Sequence, residues 1–220
     1  MKFTKSLIKG KLVKRYKRFF TDIKLNQETI VAHCPNTGSM MGLLDEGNEV
    51  FVSKNDDPKR KLKYTLEIIK VKKNLVGVNT HFANKIAFHG LSNNLVKEVK
   101  NTNNIKPEVF FDKETRFDFL VEKDNQKTFV EVKNVTLSRK DKLAEFPDAV
   151  TSRGSKHLKT LIEATKKGYK TYLLFLVQIQ GVTDFKIAKD IDKEYYENYK
   201  LAKKAGVKFL AYRCKISSKE

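Results

Sequence analysis

The chain has 220 residues, of which 40% are hydrophobic and 32% are charged, and its formal net charge is +19 at pH 7. This length accommodates one large domain or two small ones, and the hydrophobic share excludes a disordered tail. A positive charge of this size favours a polyanionic partner, so nucleic acid is the first partner to consider. The N-terminus has no apolar stretch typical of a secretory signal, and the longest apolar run, residues 172–177, is too short to cross a bilayer. We therefore expect a cytoplasmic protein with no membrane partner.

The first 80 residues favour a small all-β barrel. Short segments rich in β-branched and aromatic residues follow one another, with turn signals between them and no convincing helix. The predicted strand segments are residues 10–25, 29–34, 48–53, 64–71 and 75–79. Together with the basic composition, this pattern predicts an OB-fold barrel over residues 1–80, an architecture that often binds oligonucleotides.

Positive charge is concentrated in the barrel segment. Residues 1–24 contain nine basic residues and a single acid, and a second basic run follows at residues 59–61. A groove that follows a phosphate backbone combines such charges with aromatic rings. The rings in the first cluster, those of Tyr16, Phe19 and Phe20, are expected in the core rather than on a stacking surface. The residues predicted to contact DNA are Lys14, Arg15, Arg18, Arg60 and Lys61.

Residues 81–220 mix helical and strand patterns. Residues 82–100 predict one or two short helices interrupted at Gly90, and residues 155–167 and 192–205 predict two further helices that end before glycines. Residues 169–179 form a nearly continuous apolar run, which is typical of a buried central strand, and residues 207–216 predict a last strand. This succession predicts an α/β sheet covered by helices.

Two alternating segments at the start of this second domain carry the candidate catalytic groups. Over residues 116–121 the alternation places Asp118 on one strand face and Phe117 and Phe119 on the other. Over residues 129–134, Glu131 and Lys133 share one face. If the two strands pair as a hairpin, the two acids and the lysine converge, as a magnesium-dependent phosphodiesterase site requires. A solvated strand face with a Glu/Lys pair fits the spacing as well, but the net charge favours the site.

The residue types suit metal-dependent chemistry on phosphate. Mg²⁺ prefers carboxylate oxygens and keeps several waters, and a nearby lysine can orient water or stabilise developing charge. Glu108 is a candidate for a further metal ligand, although an exposed glutamate at a strand end explains it equally well. Arg153 and His157 lie one turn apart at the start of a predicted helix, so both can face a bound phosphate.

Several longer motifs, in the same order along the chain, resemble the sugar fermentation stimulation protein A family. They are residues 32–40, 60–65, 78–80, 116–120, 131–137, 146–158 and 206–212. The resemblance implies a DNA-binding protein with an N-terminal OB fold and a C-terminal PD-(D/E)xK nuclease-like domain, a mixed sheet with flanking helices. It also implies Asp118, Glu131 and Lys133 as the site residues. The chain departs from the family at residues 111–115, where a glycine and a serine usually precede the Arg-x-Asp.

Two functions remain open at this point. In one, the chain is a DNA-binding regulator of sugar metabolism whose nuclease-like fold only holds DNA. In the other, it is an endonuclease or exonuclease that uses Mg²⁺ or Mn²⁺. The retained acids and lysine favour the second, because a pure binder gains nothing from two acids near DNA phosphates without a cation. The oligomeric state is also open, a homodimer included.

Overall fold

The computed structural model describes Phe3 and residues 5–219, and its first part is a closed β-barrel. The barrel strands are β1 (Ile8–Tyr16), β2 (Phe20–Leu25), β3 (Glu28–His33), β4 (Glu49–Lys54) and β5 (Tyr64–Val71). They pair in the order β3-β2-β1-β4-β5, and β3 closes the barrel by pairing with β5. A further strand, β6 (Asn74–Gly77), forms a hairpin with β5. The predicted five-stranded OB-type barrel is confirmed.

The segment predicted as one strand over residues 10–25 is in fact a hairpin. Its turn lies at Lys17 and Arg18, whose φ angles of 46° and 61° place both residues in the left-handed region. The sequence hides this turn because neither residue is a glycine or an asparagine. Close to the other end of the hairpin, Gly10 is required by packing, since a Cβ there would lie 2.6 Å from the side chain of Leu25.

The second part is built on a five-stranded mixed sheet. Its strands are β7 (Asn104–Phe110), β8 (Arg116–Lys123), β9 (Gln126–Val135), β12 (Lys170–Val177) and β14 (Lys208–Arg213). The order is β14-β12-β9-β8-β7, with β12 parallel to both β9 and β14 and the other pairs antiparallel. A small second sheet contains β10 (Leu137–Lys140), β11 (Leu143–Phe146) and β13 (Asp184–Ile187). This is the nuclease-like mixed sheet that was predicted.

Three described helices cover this sheet, and none of them is long and apolar enough to span a membrane. Helix α1 (His81–Ser92) packs Ala83, Ala87 and Leu91 into one core cluster with Phe119 and Val121. Helices α2 (Ser152–Lys166) and α3 (Lys193–Lys204) pack into the other cluster. Gly90 does not interrupt α1, so that part of the helix prediction is wrong.

Phe117 belongs to a different cluster from Phe119. The ring of Phe117 packs 5.0 Å from that of Phe129, whereas Phe119 faces α1. The prediction that both share one face is therefore wrong, because the regular pleat of β8 is broken at Asp118. Four strands, β7, β10, β11 and β13, were not predicted. They are short or mostly exposed, so their sequences carry little alternation.

The two parts are joined by backbone pairing and by one carboxylate. The amide of Gly77 donates to the carbonyl of Gln178 at 3.0 Å, which brings β6 alongside the segment after β12. Asp148 also accepts a hydrogen bond from the amide of Met40 at 3.0 Å, and Ser39 donates to the backbone carbonyl of Asp148 at 2.6 Å. These bonds fix the barrel next to the sheet.

Candidate active site

The two predicted acids lie where β8 and β9 separate. The ladder between these strands ends at the pair Phe119 and Val130. Beyond it, the side chain of Asp118 takes the place of backbone pairing, because its Oδ2 accepts a hydrogen bond from the amide of Val132 at 2.7 Å. Its Oδ1 accepts a second bond, also 2.7 Å, from the side chain of Asn84 on α1. The local separation of the strands makes room for a ligand in front of Asp118.

Glu131 and Lys133 extend from β9 towards α2. Lys133 Nζ lies 2.7 Å from Glu131 Oε1, and His157 Nδ1 contacts the same oxygen. Lys133 Nζ also lies 3.1 Å from His157 Nδ1. Glu131 is only 2% exposed, and its second oxygen, Oε2, finds no hydrogen-bond partner among the described residues. A buried carboxylate oxygen without a partner is costly, so this atom is suited to a cation.

The electrostatics of the two acids differ. Burial raises the pKa of Asp118 to about 6, and repulsion from Glu131 adds to this rise. Burial also acts to raise the pKa of Glu131, but the charges and hydrogen bonds of Lys133 and His157 outweigh it and hold that pKa below its ordinary value. Above about pH 6, therefore, two negative carboxylates repel each other, which favours a cation between them.

A cavity of about 660 Å³ opens in front of Asp118. Besides Asp118, its lining residues are Asn84, Glu108, Phe110, Glu114, Thr115, Arg116, Arg153, Lys156 and His157. Arg116 and Lys156 are each paired with an acid of the same lining, Glu108 and Glu114, at 2.8 Å, and Arg153 is exposed, so a phosphate that enters meets these three basic side chains. The structure thus brings Asp118 together with both residues predicted on α2.

Glu108 lies opposite Asp118 in the register of β7 and β8, but the ladder omits this pair. Its φ of 56° places the residue in the left-handed region, which bends β7 at this point. Its carboxylate pairs with Arg116 at 2.8 Å. In the described part of the chain, no group of three or more His, Cys, Asp and Glu side chains is arranged to hold a metal ion. A role for Glu108 as a metal ligand stays a prediction.

On α2, Arg153 and His157 are connected through their side chains, with Arg153 Nε donating to His157 Nε2 at 3.4 Å. The helix begins with a side-chain cap, because Thr151 Oγ1 accepts a hydrogen bond from the amide of Gly154. Arg153 is exposed at the cavity, whereas His157 is buried and its other nitrogen contacts Glu131. His157 therefore holds Glu131 in place and also lines the cavity that a phosphate would enter.

The basic residues predicted on the barrel divide into two kinds. Lys14, Arg18 and Lys61 are exposed, and Lys14 has a long ion pair of 3.8 Å with Asp22 and lies 5.7 Å from the ring centroid of Tyr16. Arg15 instead donates to the carbonyls of Asn36, Gly38 and Arg18 at 2.6 to 3.1 Å, so it braces the neighbouring turns. Lys2, part of the same basic cluster in sequence, lies outside the described residues.

The β1–β2 hairpin and the loop before β5 meet at His33. Burial lowers the pKa of His33, and the nearby Arg60 lowers it further. The ring of Phe19 stacks on His33 with centroids 6.5 Å apart, and Tyr16 stacks on Phe20 at 5.6 Å. Tyr16 and Phe19 are 36% and 44% exposed, so the expectation that they lie in the core is wrong. They extend past the barrel because they flank the hairpin turn.

Sequence reasoning missed several residues of the site, and three of them are instructive. Asn84 holds Asp118 from a helix, and no local pattern distinguishes it from other polar helix residues. Lys156 lines the cavity, and its position between Arg153 and His157 could have been noticed. Phe110 lies on β7, whose proline and exposed residues concealed the strand.

Comparisons with known proteins agree with this architecture. The family model for the "SfsA N-terminal OB domain" matches residues 13–78, and the model for the "Sugar fermentation stimulation protein RE domain" matches residues 81–220. A sugar fermentation stimulation protein homolog from Pelagibacter ubique is 83% identical over 100% of this chain and 95% of its own length. A homolog from Pseudoalteromonas atlantica is 45% identical over 99% of this chain and 94% of its own. The solved structure of Pyrococcus furiosus SfsA in complex with Ca²⁺ has a TM-score of 0.89 and 25% identity, covering 100% of this chain and 94% of the other.

Proposed function

The chain belongs to the sugar fermentation stimulation protein family, and on this basis we propose that it binds DNA and hydrolyses phosphodiester bonds with a divalent cation. The proposal assigns DNA binding mainly to the OB barrel, residues 1–80, and hydrolysis to a PD-(D/E)xK-type site in residues 81–220. The observation that carries it is the unpartnered, buried Oε2 of Glu131, which lies on an acid that interacts with Asp118 and contacts Lys133.

The residues present fit a divalent cation. Asp118 and Glu131 supply two carboxylates, and the pKa of Asp118 is raised first by burial and then by repulsion from Glu131, which a bound cation would relieve. Two protein acids are enough for Mg²⁺ or Mn²⁺, because these ions complete their coordination with water and substrate phosphate. The Ca²⁺ bound by the relative from Pyrococcus furiosus supports a divalent-cation site in this chain. When bound, such a cation would activate a water and neutralise charge on the phosphate.

Lys133 is placed to act on the reacting groups. Its ammonium donates a hydrogen bond to Glu131 Oε1 at 2.7 Å, so its position is fixed before substrate arrives. A fixed ammonium can donate a hydrogen bond to the attacking water or to a phosphate oxygen as negative charge develops. His157 positions Glu131 through its Nδ1, and Glu131 in turn positions Lys133.

Phosphate binding falls to the basic side chains at the cavity. Arg153, Lys156 and Arg116 all line it, and charge-assisted hydrogen bonds from such groups orient a phosphate. On the barrel, the exposed Lys14, Arg18 and Lys61 extend the positive surface. A regulator that only binds DNA could use the same basic surface, but DNA binding alone does not require the buried carboxylates of Asp118 and Glu131.

The experiment that tests this function is incubation of plasmid and labelled oligonucleotides with purified protein in Mg²⁺, in Mn²⁺ and in EDTA. We expect nicks or shortened products with either cation and none in EDTA. Glu131→Gln should abolish the products while DNA binding in EDTA persists, since the basic residues are unchanged. DNA binding without any product from the wild-type protein on every substrate would leave a DNA-binding regulator as the function.

A further inference from the structure

An exposed aromatic side chain lies at the cavity in front of Asp118. Phe110, the last residue of β7, is 66% exposed and lines that cavity. The guanidinium of its cross-strand partner Arg116 lies 5.6 Å from the ring centroid. Arg116 is itself held by Glu108 at 2.8 Å. The ring is thus supported by a cation and still presents most of its surface to solvent.

Packing of the protein does not explain this ring. The next residue, Phe111, has its ring within 5.5 to 6.3 Å of Phe117, Phe129 and Tyr169. Apart from its contact with Arg116, Phe110 has no comparable ring packing, and most of its apolar surface faces solvent on an outer strand. A ligand that covers the ring would remove this surface from solvent.

Phe110 lies within one nucleotide's reach of the reacting centre. Its partner Arg116 precedes Asp118 by two residues on β8, which corresponds to about 7 Å along the strand. The cavity of about 660 Å³ that both residues line is of the size that holds a small ligand. A nucleotide whose phosphate reaches Asp118 can therefore place its base on Phe110.

We infer that Phe110 stacks on an unpaired nucleobase, so that the site takes single-stranded or frayed DNA in preference to intact duplex. This inference rests on the proposed function and names its substrate class. Inside a duplex both faces of each base are covered by neighbouring base pairs, so a protein ring can stack only on a base that has left the stack. Stacking of this kind does not depend on the base sequence, because every base has a π-face. Arg153 and Lys156, which line the same cavity, would hold the adjoining backbone.

The test compares one sequence as a single strand and as a duplex closed by hairpins at both ends. In Mn²⁺, the wild-type protein should cleave the single strand at least about tenfold faster, and Phe110→Ala should lower kcat/KM on the single strand roughly tenfold. Phe110→Tyr should restore it, because tyrosine keeps the ring. Leu201→Ala, which removes another exposed apolar side chain, 56% exposed on α3, should change neither rate.

A spectroscopic signal separates this inference from the proposed function. In Ca²⁺, a single strand containing 2-aminopurine should lose fluorescence on binding the wild-type protein and keep it on binding Phe110→Ala. Equal cleavage of both DNA forms by the wild type, or equal quenching by both proteins, would overturn the role of Phe110. Cleavage of neither form by the wild type, with quenching lost in Phe110→Ala, would overturn hydrolysis but support the base-stacking residue.

Discussion

Replacement of Asp118 by asparagine should stabilise the protein when no metal is present. Burial and repulsion from Glu131 raise the pKa of Asp118 from 3.8 to about 6. The folded state therefore binds this proton more tightly than the unfolded chain does, and the free energy of unfolding decreases as pH rises through this interval. At about 1.4 kcal/mol for each pKa unit, the loss is about 3 kcal/mol at neutral pH.

Asparagine avoids this loss and keeps the shape of the side chain. Its oxygen can accept from the amide of Val132, and its amide can donate to Asn84 once the Asn84 amide turns over. In EDTA at neutral pH we expect Asp118→Asn to raise the free energy of unfolding by about 2 to 3 kcal/mol, which is roughly 4 to 12 °C in Tm for a chain of this size. Below the ordinary pKa of aspartate the difference should vanish.

The assay is thermal and urea unfolding followed by circular dichroism across this pH range in EDTA, with Asp141→Asn as the matched control. Asp141 is exposed in the turn between β10 and β11, so the control should unfold like the wild type. With Mn²⁺ the order should reverse, because only the wild type gains stability from a bound cation. A variant less stable than the wild type in EDTA at neutral pH, or a difference that does not change with pH, would refute the electrostatic argument.

Three further predictions concern binding, turnover and the scaffold. The double variant Lys14→Ala/Arg18→Ala should bind every DNA sequence more weakly. In fluorescence anisotropy, the slope of log affinity against log salt should fall in magnitude by about two, because two phosphate contacts are lost. An unchanged slope would show that other residues make the phosphate contacts. Lys133→Met should keep Mn²⁺ binding but lower the cleavage rate about a hundredfold or more, and an unchanged rate would exclude an action of the ammonium on the reaction. Arg139→Met should lower stability by about 1 to 3 kcal/mol at neutral pH, because it removes the guanidinium that pairs with the buried carboxylate of Glu145, while Lys186 stays paired with that carboxylate at 3.3 Å. Since Arg139 holds the pKa of Glu145 below its ordinary value, this destabilisation should shrink as pH falls through the carboxyl range, and a pH-independent loss would contradict it.

The elements with strong periodicity could be predicted from the sequence. The apolar run before Gln178 is β12, a buried interior strand of the sheet although not its middle one, and the stripe that contains Leu158 and Leu161 is the buried face of α2. The pairing of β8 with β9 followed from their alternation and from the polar turn between them. Short exposed strands such as β7 were missed, because their residues do not alternate between apolar and polar.

The chemical groups of the candidate site could be predicted from the sequence, but their arrangement in space could not. The carboxylates of Asp118 and Glu131 and the ammonium of Lys133 could be selected by residue type and spacing. Where the pleat of β8 is broken, the opposite residue on the adjacent strand, Glu108, has a left-handed backbone, and Asp118 accepts a hydrogen bond from a distant helix residue, Asn84. Such contacts between elements far apart in sequence leave no periodic signal.

The most direct test of the central claim is a titration of Mn²⁺ into the metal-free protein, followed by electron paramagnetic resonance of the free ion. The account predicts saturable binding of Mn²⁺ by the wild type and by Asp141→Asn, and loss of that binding in Asp118→Asn and in Glu131→Gln. Competition by Mg²⁺ should release the bound Mn²⁺, since both ions take oxygen ligands. Failure of the wild type to bind Mn²⁺, or equal binding by Asp118→Asn, would contradict the assignment of this pair of carboxylates as a divalent-cation site.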